Sequence, residues 1–173
     1  MAHIVVAYPS LSQEDTDWIA AFRAEHDRDY VSVIGPHYTL VFPTHKQLSH
    51  EDLTRHIERN APPAFETRCR SAEVVFNPFI NKWHVFLVPQ EGYDEIVSLH
   101  GGLYSGPLED QLHPTEPFIP HIGIATLETR EECERLAETL NANGLDVRAA
   151  VREIDLCVYD GVKVTTTAKI PLR

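Results

Sequence analysis

Two short runs, each opened by a proline–histidine pair, limit what this chain can fold into more than anything else in its sequence. The first is Gly35-Pro36-His37-Tyr38-Thr39-Leu40-Val41-Phe42-Pro43. Prolines bracket a stretch of β-branched and aromatic residues, the composition of a strand, and Pro36 biases Gly35 away from helix. Side chains alternate along a strand. His37, Thr39 and Val41 are therefore expected on one face, with Tyr38, Leu40 and Phe42 on a bulkier face that reads as core. At roughly 3.3 Å rise per residue, His37 and Thr39 stand about 7 Å apart, close enough to address one small anion.

The second run is Ile119-Pro120-His121-Ile122-Gly123-Ile124-Ala125-Thr126. His121, Gly123 and Ala125 fall on one face, and Ile122, Ile124 and Thr126 on the other. Parity thus separates the hydroxyl of Thr126 from His121. In both runs the histidine face carries the smaller side chains, as suits strands that line a groove on one side and pack on helices on the other.

The rest of the chain repeats in the same way. Ile4 to Tyr8 reads as a strand ended by Pro9. Ser12 caps a helix running to about His26, with Trp18, Ile19 and Phe22 as its apolar stripe. Ser49 caps a second helix on Leu53, His56 and Ile57, stopped over 60–63. Strands are expected over 64–76 and 83–88, the latter ended by Pro89. Tyr93 to Tyr104 keeps helical spacing, although Gly101-Gly102 weakens its second half. A loop rich in proline and acid covers 107–117. Thr129 and Glu132 make a capping box for a helix stopped by Asn143-Gly144. Two strands close the chain, a long bent one over 145–159 and another over 162–170, joined by the Asp160-Gly161 turn.

Each half therefore carries a Pro-His strand, helices and a pair of strands. The pattern predicts an α+β fold: a bilobal unit of two pseudo-symmetric, mostly antiparallel sheets with outer helices around a central cleft. We expect one domain of two intertwined lobes spanning 1–173, with the Pro-His strands over about 35–43 and 119–127.

A hydrophobic content of 43% is that of a globular protein. No apolar run approaches a membrane span, and no basic segment precedes the apolar start at Ile4, so neither a membrane partner nor a secretory leader is expected. Cys69, Cys133 and Cys157 form no CxxC or zinc spacing and read as buried thiols of a reducing, cytoplasmic compartment. The net charge of −11 argues against non-specific binding to long nucleic acid but leaves room for a small nucleotide in a local pocket. A monomer is expected.

Two imidazoles on equivalent strands can act as base and acid near neutral pH. One takes a proton from water and the other protonates the departing oxygen of a phosphodiester. Thr39 can donate to a non-bridging phosphate oxygen. Taken singly, each histidine is an ordinary polar strand residue; as a pair in matching contexts, His37 and His121 read as a site.

His37-x-Thr39 and His121-x-Gly123, each preceded by proline and flanked by apolar residues, resemble the paired His-x-Thr/Ser signatures of the 2H phosphoesterase superfamily. That group includes the 2′-5′ RNA ligase-like proteins and the cyclic nucleotide phosphodiesterases. The likeness extends to length, two-lobe order and motif separation. It implies a bilobal fold with a central cleft, no cofactor or metal requirement, and action on 2′,3′-cyclic or related phosphodiesters of nucleotides or RNA ends. Gly123 departs from the pattern: one phosphate-binding hydroxyl is missing, and the glycine backbone or a water would have to take its place. A member that binds phosphate without efficient turnover is the alternative.

Other candidates carry less. Trp83, Tyr104 and Phe118 can stack on a base in the cleft or fill the core. His45, His50 and His56 match no metal-binding spacing, and a metal reading at His113 beside His121 is equally weak. Arg68 and Arg70 can neutralise a phosphate or face solvent, and 131–135 reads as a solvated helix face.

Overall fold

The computed structural model describes residues 1–46, 48–112 and 117–173. His113, a weak candidate from sequence, lies outside the described residues. The strands are β1 Ala2–Ala7, β2 Ser10–Leu11, β3 Tyr38–Thr44, β4 Phe65–Asn77, β5 Lys82–Glu91, β6 Ile122–Leu127, β7 Val147–Val151, β8 Glu153–Tyr159 and β9 Val164–Pro171. The α-helices are α1 Gln13–His26, α2 His50–Asn60, α3 Tyr93–Leu103 and α4 Arg130–Ala142, with a 3-10 helix at Gly106–Gln111.

Every strand pairing is antiparallel. The order across the sheet is β2-β7-β4-β5-β6-β3-β1-β8-β9. The two Pro-His strands, β3 and β6, are neighbours at its centre and meet through one residue pair, Tyr38 with Ile122. On one side of that seam lie β6, β5, β4, β7 and β2; on the other lie β3, β1, β8 and β9. The chain halves exchange hairpins across it. The β4–β5 hairpin of the first half pairs with β6, and the β8–β9 hairpin of the second half pairs with β1.

The capping signals act as the sequence predicts. Ser12, Ser49 and Thr129 each accept a hydrogen bond from the backbone N–H three residues on, which satisfies an orphan donor of the first turn. Asp160 Oδ1 accepts from the N–H groups of Val162 and Lys163, both at 2.8 Å, and Gly161 turns at φ 100°. Helix α3 continues through its two glycines. A Cβ at Gly102 would stand 2.9 Å from Asn60 Oδ1, so the glycine lets α2 and α3 approach closely.

Three expectations are corrected. Strand β5 does not stop at Pro89 but runs to Glu91. Proline has no N–H for the ladder, and here it falls where the β4–β5 register slips, a position that tolerates it. The bent strand over 145–159 is two strands: the chain breaks at Arg152 and changes sides of the seam, β7 pairing with β4 and β8 with β1.

The third correction is parity. Opposite β1, Thr39 faces Val6 and Val41 faces Val5, leaving Leu40 as an extra residue. Opposite β5, Gly123 faces Phe86 and Ala125 faces Val85, leaving Ile124 extra. Both are β-bulges, and each falls three residues after its histidine. A bulge re-aims every side chain beyond it. Val41 is accordingly buried, and Phe42 is 48% exposed rather than core. Thr126 turns to the same side as His121, against the parity expectation.

The core is continuous across the seam. Tyr38, Leu40, Val85, Leu87, Ile122 and Ile124 are fully buried against residues of the helices such as Ile19, Ile57, Leu103 and Cys133. All three cysteines are buried and free.

Candidate active site

The tripeptides before β3 and β6 aim the histidines. Pro36 and Pro120 hold φ near −65°, and each chain turns so that the following ring meets the carbonyl two residues back. His37 Nδ1 lies 2.8 Å from Gly35 O and His121 Nδ1 lies 2.6 Å from Ile119 O. A carbonyl oxygen only accepts, so Nδ1 carries the proton in both rings and Nε2 keeps its lone pair. Thr39 Oγ1, 3.0 Å from His37 Nε2, then donates to it.

The seam places these groups together. With Tyr38 opposite Ile122, antiparallel register sets His37 across from Gly123 and Thr39 across from His121. All four positions point to one side, and diagonal neighbours in such a pair lie about 7–8 Å apart. Both histidines, Thr39 and Gly123 line a single cleft of about 830 Å³.

Burial dominates the electrostatics. It pushes both imidazoles down to about 4, against the opposing pull of their carbonyl bonds. The charge of Arg23 lowers His37 further, and His37 and His84 lower His121. Both rings are therefore neutral at neutral pH.

Strand β5 supplies a wall that sequence reasoning missed. Phe86 stacks on His121 with ring centroids 3.6 Å apart and planes 13° apart. His84 continues the stack at 5.3 Å from Phe86. The signal was present: Val85 and Leu87 are plain core residues, so alternation puts His84 and Phe86 on the other face. Removing the stacked ring by Phe86→Ala should expose His121 to water. The expected result is an imidazole pKa that rises from about 4 toward the ordinary value of about 6.5, read by NMR titration of His121.

The three sequence-predicted stacking residues fare differently. Tyr104 and Phe118 line the cleft. Tyr104 is buried and its hydroxyl accepts the Phe42 N–H at 2.9 Å, while Phe118 has one face covered by His100 at 3.6 Å. Trp83 is not among the cleft-lining residues. It sits against Phe76 and beneath the Arg130 guanidinium, as strand parity opposite His84 requires. Phe42, Phe76 and Phe79 instead form the exposed aromatic rim. Arg68 and Arg70 are spent on Asp146 and Glu91.

The sequence profile of the 2′-5′ RNA ligase superfamily matches residues 1–163. A Bacillus licheniformis protein named "Putative phosphoesterase" is 26% identical over 141 residues, covering 81% of this chain and 79% of the relative. A Bacillus pumilus protein of the same description is 27% identical over 157 residues, covering 90% and 88%. Among solved structures, E. coli LigT complexed with 3′-AMP superposes with a TM-score of 0.61 at 17% identity, covering 99% of this chain and 97% of that one. Kluyveromyces marxianus Usb1 superposes with a TM-score of 0.57 at 9% identity, covering 99% and 98%. The fold is thus that of the LigT-like proteins, and no helix among the described residues is long and apolar enough to cross a membrane. The chain belongs to the 2′-5′ RNA ligase superfamily, the group of the 2H phosphoesterases.

Proposed function

We propose, starting from that membership, that the chain is a metal-independent phosphodiesterase acting on 2′,3′-cyclic or related phosphodiesters of nucleotides or RNA ends. His37 and His121 are its acid and base. The observation that carries this reading is the matched pair of imidazoles. Each is anchored at Nδ1 by the carbonyl two residues back, and each lines the same cleft with an unprotonated Nε2, which in His37 accepts the Thr39 hydroxyl.

In the reaction one neutral imidazole takes a proton from water as the water oxygen bonds to phosphorus. The other, protonated on binding the anion, gives its proton to the ester oxygen as the P–O bond breaks. Once His37 carries a second proton, its Nε2–H donates to Thr39, which frees the Thr39 hydroxyl proton for a non-bridging oxygen where charge gathers, and the backbone at Gly123 faces the other side of the phosphoryl group. The aromatic rim at Phe42, Phe76 and Phe79 supports a ligand that carries a base. LigT complexed with 3′-AMP and Usb1 with uridine monophosphate support a small nucleotide as the ligand. The test is turnover of nucleoside 2′,3′-cyclic phosphates in excess chelator: product formation supports the reading, and none over long incubation opposes it.

Gly123 favours a second reading, a nucleotide- or RNA-end-binding module that has lost efficient turnover. Space is no obstacle to restoring the hydroxyl, since a Cβ at Gly123 would meet only Phe86 Cε1, at 3.9 Å. If the missing donor limits the rate, Gly123→Thr should raise kcat/KM by roughly tenfold or more, the effect of one oxyanion donor. If the module reading holds, wild type binds a nucleotide saturably with no product, and turnover emerges only in the variant.

A further inference from the structure

The stripe of α1 that faces the sheet includes a charge. Ile19 is fully buried, and Arg23, one turn on, is only 3% exposed. Its Nε donates to Asp27 Oδ2 at 2.9 Å. Asp27 is itself 3% exposed, and its Oδ1 accepts the Thr126 hydroxyl at 2.9 Å. Thr126 accepts in turn from His84 Nδ1 at 3.0 Å. The carboxylate is thus held at both oxygens and locks the guanidinium plane.

This network leaves something unused. A guanidinium has five N–H donors in a rigid fork, and one is spent on Asp27. Nη1 and Nη2 have no hydrogen-bond partner among the described residues. Arg23 lines the cleft with His37 and His121, and it is the one cation among the described lining residues. Its field reaches His37, whose protonation it disfavours. Thr126, although turned into the cleft by the β6 bulge, cannot stand in for the hydroxyl missing at Gly123, because its proton is committed to Asp27.

We propose that Arg23 is the anion-holding residue of the cleft, its Nη edge binding a non-bridging oxygen of the phosphoryl group in the role left open at Gly123, with Asp27 as the positioning residue. The inference rests on the phosphodiesterase reading only for the identity of the diester; anion binding stands apart from turnover.

The experiment uses inorganic phosphate as the probe, titrated calorimetrically at pH 7 and constant ionic strength, beside turnover of a nucleoside 2′,3′-cyclic phosphate. Arg23→Lys keeps the buried charge but loses the fork, and Arg23→Met combined with Asp27→Asn removes the pair without stranding a carboxylate. Arg55→Gln on the exposed face of α2 is the control. Arg23→Lys should weaken phosphate binding roughly tenfold or more, and the double variant should abolish it, with thermal unfolding midpoints near wild type and Arg55→Gln unchanged. Phosphate should also shift the Arg23 Nε–H resonance in the wild-type protein, a readout that survives any failure of the variants to fold. A folded variant that binds phosphate like wild type, or an Arg23 resonance unmoved at saturation, overturns the proposal. If wild type turns over no diester while Arg23 variants lose phosphate, the anion site stands and the hydrolase reading falls. If the Arg23 variants turn over the diester at the wild-type rate, the hydrolase reading stands and the anion site falls.

Discussion

Replacing either His37 or His121 with alanine is expected to lower kcat/KM toward a nucleoside 2′,3′-cyclic phosphate by about 10²–10⁴-fold, the worth of one positioned proton transfer. The fold should survive. Each ring is bonded to its own local carbonyl and lines the cleft, while the buried seam residues Tyr38 and Ile122 remain. Because the two groups act in one step, the double variant should lose little more than the worse single one. The variants also separate the roles. An ester with a p-nitrophenyl leaving group needs no proton on departure, so the histidine whose loss it tolerates is the acid. Wild-type rates in both single variants would leave the imidazoles without a role.

The second large effect is on pH. kcat/KM reports the groups of the free enzyme, where burial holds both imidazoles at about 4. The reaction needs one ring protonated and one neutral, and the pair titrates as a unit. Above pH 5 the singly protonated cleft becomes scarcer by about tenfold per pH unit, so kcat/KM should fall by roughly 10³ between pH 5 and pH 8. A bound phosphoryl anion offsets the burial and raises one of the two, so the alkaline limb of kcat should lie at higher pH than that of kcat/KM. Equal profiles, or a kcat/KM flat from pH 5 to 8, would contradict a buried acid–base pair. The same shifts have a stability consequence of fixed sign. The unfolded chain binds these protons near pH 6.5 and the folded chain only near 4, so folding stability should decline as pH drops through that window.

Much of this site is legible in the residues alone. Proline before a strand, alternation after it, and the same pair in each half point to His37, Thr39, His121 and Gly123. The helix caps at Ser12, Ser49 and Thr129 are equally local, and local signals are the ones a sequence states directly. What escapes depends on register. The bulges at Leu40 and Ile124 arise from how β3 and β6 pair with β1 and β5, so parity alone puts Phe42 in the core and Thr126 on the wrong side. Strand exchange likewise turns one expected strand into β7 and β8. Trp83 draws attention as the large aromatic of β5, yet its neighbours His84 and Phe86 are the ones the sheet turns toward His121. Arg23 is hidden for another reason: a charge on an apolar stripe reads as solvent-exposed until its partner, Asp27, is seen one turn away.

The phosphodiesterase reading requires that two distant stretches bring their imidazoles to one phosphoryl group. A crystal structure of the wild-type protein with a nucleoside 3′-monophosphate tests this most directly. The phosphate should be seated over the Tyr38–Ile122 pair, with oxygens within hydrogen-bond reach, about 2.6–3.2 Å, of Nε2 of both His37 and His121. A phosphate bound elsewhere, or touching one ring with the other out of reach, would contradict a shared site.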